Sequence, residues 1–120
     1  MTEQLLIQLA AQGNRIQEMV DRFAGNEAIC VKLVKKFPAD QNYAAYKTQI
    51  AQADLKAAEQ SVHTLKGVSS NLGLTNISDL TQKIVDEIRG EQDMEKLQGW
   101  TAELEVVYEK AVAVIQQFMD

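Results

Sequence analysis

The chain has 120 residues, enough for one compact domain of ordinary size. Twelve Lys and Arg against 17 Asp and Glu give a net charge of −5, and the residues are 46% hydrophobic and 24% charged. That is a globular composition lacking the basic excess that nucleic acid or an anionic membrane surface selects. A single Cys and a single His exclude an internal disulfide and a cysteine metal cluster, and they supply a zinc enzyme, a Cys/His hydrolase or a multi-histidine cofactor bundle poorly.

No apolar run approaches the roughly 20 residues that cross a bilayer. Residues 1–10 carry no basic stretch or small-residue cleavage site, so no secretion signal is expected. The expected location is the cytoplasm. Glycine and proline divide the chain, and between them apolar residues recur at helical spacing. Leu5, Leu6 and Leu9 open a short first helix that Gly13 and Asn14 interrupt, and Ile16, Met19, Val20 and Phe23 carry the stripe to Gly25 and Asn26. Ile29, Cys30, Leu33 and Phe37 line the next helix, which stops before Pro38 because proline disfavours a helical residue ahead of it. Pro38 suits the first turn of the following helix, whose buried face is Tyr43, Tyr46, Ile50 and Ala53.

Asp54 is the expected N-cap of a helix reaching about Asn71 or Leu72, with Gly73 as its stop. Thr75 or Asn76 caps the next, which buries Ile77, Leu80, Ile84 and Ile88 and ends at Gly90. In the last helix Met94, Leu97, Thr101, Leu104, Tyr108, Ala111, Ile115 and Phe118 alternate spacings of three and four, a heptad seam with one polar interruption. The expected fold is all-α: an antiparallel four-helix bundle with one or two short N-terminal helices, forming a single domain over residues 1–120.

The chemistry concentrates on the helix of residues 54–72. At about 100° per residue, Leu55, Ala58, Val62, Leu65, Ser69 and Leu72 share one arc, and His63 points about 140° from its centre. The only histidine is therefore expected in solvent, as a surface residue or as a reactive one. Gly67 favours the second reading. Glycine inside a helix costs about 1 kcal/mol relative to alanine, and packing does not demand it on an exposed face. One turn from His63, its missing side chain clears an approach to the imidazole, while Lys66 places a mobile cation beside the same spot. A neutral imidazole is a competent nucleophile. This combination suits reversible attachment of an anion, most simply a phosphoryl group. The other conspicuous residues read as structural: Ser69 permits close packing, Cys30 packs as a small hydrophobe, and Tyr43, Tyr46, Trp100 and Tyr108 belong to the core or its boundary.

The run His63-Thr64-Leu65-Lys66-Gly67-Val68-Ser69-Ser70-Asn71-Leu72-Gly73 resembles the signature of histidine-containing phosphotransfer (HPt) domains, His-x-Leu-Lys-Gly followed by small residues, an apolar residue and Gly. Arg22-Phe23-Ala24-Gly25-Asn26-Glu27 is similar to a segment frequent ahead of the second major helix of such domains, and the Ala53-Asp54-Leu55 turn precedes the His helix at a typical distance; taken with the helix lengths, the resemblance spans about residues 13–119. It implies a carrier, not an enzyme in its own right, that moves a phosphoryl group between aspartates of response-regulator receiver domains. His63 would be phosphorylated through Nε2, Lys66 would balance the phosphate's charge, and Gly67 would admit the receiver's active site. Glu59, Gln60, Thr64, Val68, Ser70, Asn71 and Gln82 would form the receiver-docking face. No metal site is expected in the chain, because Mg²⁺ and the acid–base groups belong to the receiver. Nucleic acid and membrane insertion are not expected partners.

The sequence departs from the family pattern at two places. Val85 stands near the position where many relatives carry Gln or Glu to hydrogen-bond the imidazole, leaving Gln82, one turn away, as the candidate substitute. Val68 replaces the more usual Ser or Ala. Two other functions stay open at this point. A sensor histidine kinase's dimerisation domain also bears a helical His, but Thr64 stands where an acidic residue usually follows it; a non-phosphorylated helical adaptor would make His63 incidental. Whether the chain stands alone or forms the C-terminal module of a membrane-tethered hybrid kinase is likewise open.

Overall fold

A computed structural model describes residues 1–119, among which it has seven α-helices and one 3₁₀ turn. The helices are α1 (Gln4–Ala11), α2 (Ile16–Arg22), α3 (Glu27–Val34), α4 (Asn42–Ala51), α5 (Leu55–Asn71), α6 (Thr75–Arg89) and α7 (Met94–Gln117), with the 3₁₀ turn at Phe37–Ala39. Side-chain caps fix several starts. Asn26 Oδ1 accepts from the Ile29 N–H at 3.1 Å, Asp54 Oδ1 from Ala57 at 3.2 Å, and Asp93 Oδ1 from Glu95 and Lys96 at 3.0 and 3.2 Å.

Helices α4 to α7 form the bundle, joined by turns of three or four residues. The order of cross-helix partners gives their directions. Glu59 meets Arg89 and Lys66 meets Gln82, so α5 and α6 run antiparallel. Tyr43 stacks on Tyr108, with ring centroids 3.7 Å apart, and Tyr46 bonds Thr101, so α4 and α7 also run antiparallel and close the bundle. The polar interruption of the α7 seam is thereby explained: the Thr101 and Tyr46 hydroxyls lie 2.6 Å apart in the core and satisfy each other. Helices α1 to α3 pack on one another, and α1 packs on α7. Glu27 Oε1 accepts from the N–H groups of Thr2 and Glu3, tying the start of the chain to α3 and holding that carboxyl below the usual carboxylate range.

Four local expectations change. Ile29 is exposed, and α3 buries Cys30 and Val34 with Leu33 half-covered. Pro38 lies inside the 3₁₀ turn and does not open α4, which starts at Asn42. Ala53 lies beyond the end of α4, exposed and with φ +55, in the turn before α5. The start of α6 is not capped by Thr75 or Asn76: Asn14 Oδ1 accepts from the Asn76 N–H at 3.0 Å, while Thr75 Oγ1 accepts from the Arg15 N–H at 3.0 Å and Asn76 Nδ2 donates to the Gln12 carbonyl at 2.7 Å. The loop after α1 thus locks onto α6, and Gly73 lets the chain pass there. It has φ +70, and a Cβ would stand 3.2 Å from the Arg15 carbonyl and from Met19 Cβ.

Candidate functional site

Helix α5 buries Ala58, Val62, Leu65 and Ser69, followed by Leu72, and leaves Leu55 half-covered. The opposite face carries His63, fully in the exposed class as the helical arithmetic requires. Ser69 keeps its hydroxyl out of any chemistry by donating to the Leu65 carbonyl at 2.8 Å. Both ends of the helix are held. Asp54 caps the first turn, and Arg22 from α2 donates to the Ser70 and Asn71 carbonyls at 3.3 and 2.8 Å, in the last turn, where carbonyls lack their full set of intrahelical partners.

Lys66, Gly67, Ser70 and Asn71 of α5 face Ser78, Asp79 and Gln82 of α6 across a cleft of about 370 Å³. Lys66 is half-buried, and its ammonium donates to Gln82 Oε1 at 2.9 Å. Gln82 Nε2 in turn donates to Asp86 Oδ1 at 2.8 Å. At Gly67 an added Cβ would have no heavy atom within 4 Å, the His63 ring included. Any obstruction from a side chain there would therefore fall on an approaching partner, and not first on the imidazole.

A second, more apolar recess of about 580 Å³ lies beside this face, where Phe23, Leu33, Phe37, Val68 and Leu72 line the space between α5 and the N-terminal helices and Arg22 and Lys36 stand at its edge. Val68 is half-buried and belongs to this recess, so it packs and presents apolar area at once. Among the described residues no group of three or more His, Cys, Asp or Glu is placed to hold a metal ion, and no helix is long and apolar enough to cross a membrane.

A family model described as the Hpt domain matches residues 39–114, taking in α4, α5, α6 and most of α7. The chain belongs to the Hpt family. No curated protein and no solved structure matches it. Hpt domains serve phosphotransfer in two-component systems, as carriers and not catalysts, with response-regulator receiver domains as partners. The matched span is shorter than the 13–119 suggested by the sequence motifs and leaves α1 to α3 outside.

Within this Hpt domain the expected site residues divide by position. His63, Gln60, Thr64, Gly67, Ser70, Asn71 and Gln82 are exposed, and Lys66, Gly67, Ser70, Asn71 and Gln82 share the cleft. Thr64 returns its hydroxyl to the Gln60 carbonyl at 3.0 Å. Glu59 stands apart: its carboxylate is only half-exposed and bonds Arg89 Nε at 2.8 Å in an ion pair across to α6. Gln82, the candidate for orienting the imidazole, does not bond it here. Val85 is completely buried, and Gln82 is engaged by Lys66 and Asp86. Sequence reasoning missed Asp79 and Asp86, although with Gln82 they recur at spacings of three and four along the polar face of α6. It also missed the recess, which forms only once α2 and α3 meet α5.

Proposed function

We propose that this Hpt domain accepts a phosphoryl group on His63 from a receiver aspartate and passes it to the aspartate of a second receiver. The observation that carries the reading is the exposure of the chain's only histidine midway along α5, with Lys66 and the unobstructed Gly67 on the same side, inside the matched span. In the forward step the Nε2 lone pair attacks phosphorus, the N–P bond forms as the acyl-phosphate P–O bond breaks, and the receiver's aspartate leaves as a carboxylate. The positive charge left on the ring is relieved by loss of the Nδ1 proton to water. Onward transfer reverses these changes at another receiver. Lys66 opposes the phosphoryl charge, Gly67 leaves room for the receiver's loops, and Mg²⁺ comes with the receiver.

Gln60, Thr64, Val68, Ser70, Asn71 and Gln82 supply the docking face, with Glu59 at its edge, and the adjoining recess extends it with apolar surface. The test is the appearance of acid-labile phosphate after mixing with a phosphorylated receiver and Mg²⁺, with His63→Ala in parallel. Label on the wild type alone is the expected result. If a broad panel of receivers transfers nothing, the chain is a helical adaptor and the carrier reading fails.

A further inference from the structure

Gln82 faces Lys66 across the cleft, and the two polar atoms of its amide have partners of opposite kind. Oε1 accepts from Lys66 Nζ at 2.9 Å, and Nε2 donates to Asp86 Oδ1 at 2.8 Å. An ammonium can only donate and a carboxylate can only accept, so a single orientation of the amide satisfies both neighbours. The charged residues therefore stand at the two ends of a chain whose middle member is neutral. Gln82 and Asp86 lie one turn apart on α6, which fixes their spacing.

On the reading that His63 carries the phosphoryl group, we infer that Gln82 is a positioning residue that holds the Lys66 ammonium at the cleft for the incoming phosphoryl oxygens, with Asp86 fixing the amide that does so. A lysine has the most rotamer freedom to lose when it is ordered. Here much of that ordering precedes arrival of the phosphoryl group. One of the three ammonium N–H groups goes to Gln82, and two remain for an anion. The neutral amide also leaves the lysine's charge uncancelled. A carboxylate at position 82 would pair with it directly and repel the phosphoryl group, whereas the Asp86 carboxylate is kept one residue further off. Lys66 and His63, three residues apart on α5, are neighbours on its surface, so holding the ammonium in place acts on the reacting group.

The experiment is a double-mutant cycle of Gln82→Met and Lys66→Met, reading the transfer rate from a phosphorylated receiver to His63 across a range of receiver concentrations. Methionine keeps the length and helix preference of glutamine and removes its acceptor. Gln82→Met should slow maximal transfer roughly three- to tenfold, the worth of one such hydrogen bond, whatever its place in the docking face adds to the receiver concentration that gives half the maximal rate. In the Lys66→Met background the same change should slow nothing further. A wild-type rate in Gln82→Met overturns the inference. So does a slowing that persists undiminished without Lys66, or one confined to half-saturation, which would leave Gln82 a docking contact and nothing more. Label on wild-type His63 with any of those results removes Gln82 alone. Absence of label on the wild type removes the carrier reading and this inference together.

Discussion

Gly67 offers the sharpest separation of stability from function in this molecule. It lies in the interior of α5, and a Cβ built there meets nothing within 4 Å. Gly67→Ala should therefore gain the helix preference of alanine over glycine, about 1 kcal/mol, with no steric charge against it. For a domain of this size that raises Tm by roughly 3–6 °C, measurable by far-ultraviolet circular dichroism. Gly67→Leu should gain nearly as much, since leucine follows alanine closely in helix preference. Phosphotransfer should move the other way. Leucine would fill the space through which the proposed receiver reaches His63, so transfer to the Leu variant should fall well beyond its effect in the Ala variant. A Leu variant more stable than wild type and equally fast would refute the clearance argument outright. An Ala variant less stable than wild type would instead show that the space over Gly67 is not open.

Lys66→Ala should slow transfer about tenfold, as expected for a charged hydrogen-bonding partner, and should change stability by no more than about 0.5 kcal/mol because the hydrogen bond it loses, to Gln82, is exposed to solvent; unchanged transfer would remove Lys66 from the site. Tyr46→Phe leaves the buried Thr101 hydroxyl without its partner and should cost about 1–3 kcal/mol in urea unfolding. Adding Thr101→Val should recover much of that loss, and a double variant no better than the single one contradicts the pairing. Burial raises Tyr43, Tyr46 and Tyr108 above the ordinary tyrosine value of 10.0, and the hydrogen bond to Glu105 raises Lys47 above 10.5. Groups raised on folding stabilise fully below their unfolded values and lose that contribution as pH climbs through the folded ones. Their share of stability should hold from neutrality to about pH 10 and fall above it, with tyrosinate absorbance rising together with unfolding; free titration of all three rings in the folded protein would refute this.

The outward orientation of His63 on α5 was legible because everything that fixes it is local. Six apolar or small residues at helical spacing fix the buried arc, His63 must then face away, and Asp54 and Gly73 mark the ends within the same segment. Ile29 shows the limit of that method. In a helix of eight residues the pairs 29/33 and 30/34 are adjacent stripes, and α1, α2 and the rest of the core decide that Cys30 and Val34 turn inward. The start of α6 failed for a related reason, since its cap comes from Asn14, 62 residues earlier in the chain. Lys66 and Gln82 were each singled out, but their bond joins two helices, and periodicity along one helix contains no information about the rotamers of another.

The same non-local contacts explain how α5 can carry an unfavourable residue at its centre. A helix interrupted by glycine is weakest where the glycine sits, yet the proposed transfer would require His63, four residues away, to be presented in a fixed direction. The buried face supplies most of the restraint: Val62, Leu65 and Ser69 bracket Gly67 on the core side. Arg22 adds a restraint at the far end through the Ser70 and Asn71 carbonyls. Arg22 also borders the apolar recess beside the histidine face. A receiver docked as proposed would therefore rest on the residue that holds the last turn of α5, and its docking and the order of the helix that carries His63 would depend on a shared contact. The N-terminal helices, outside the matched family span, thus help to hold the helix that carries His63 as well as covering the core.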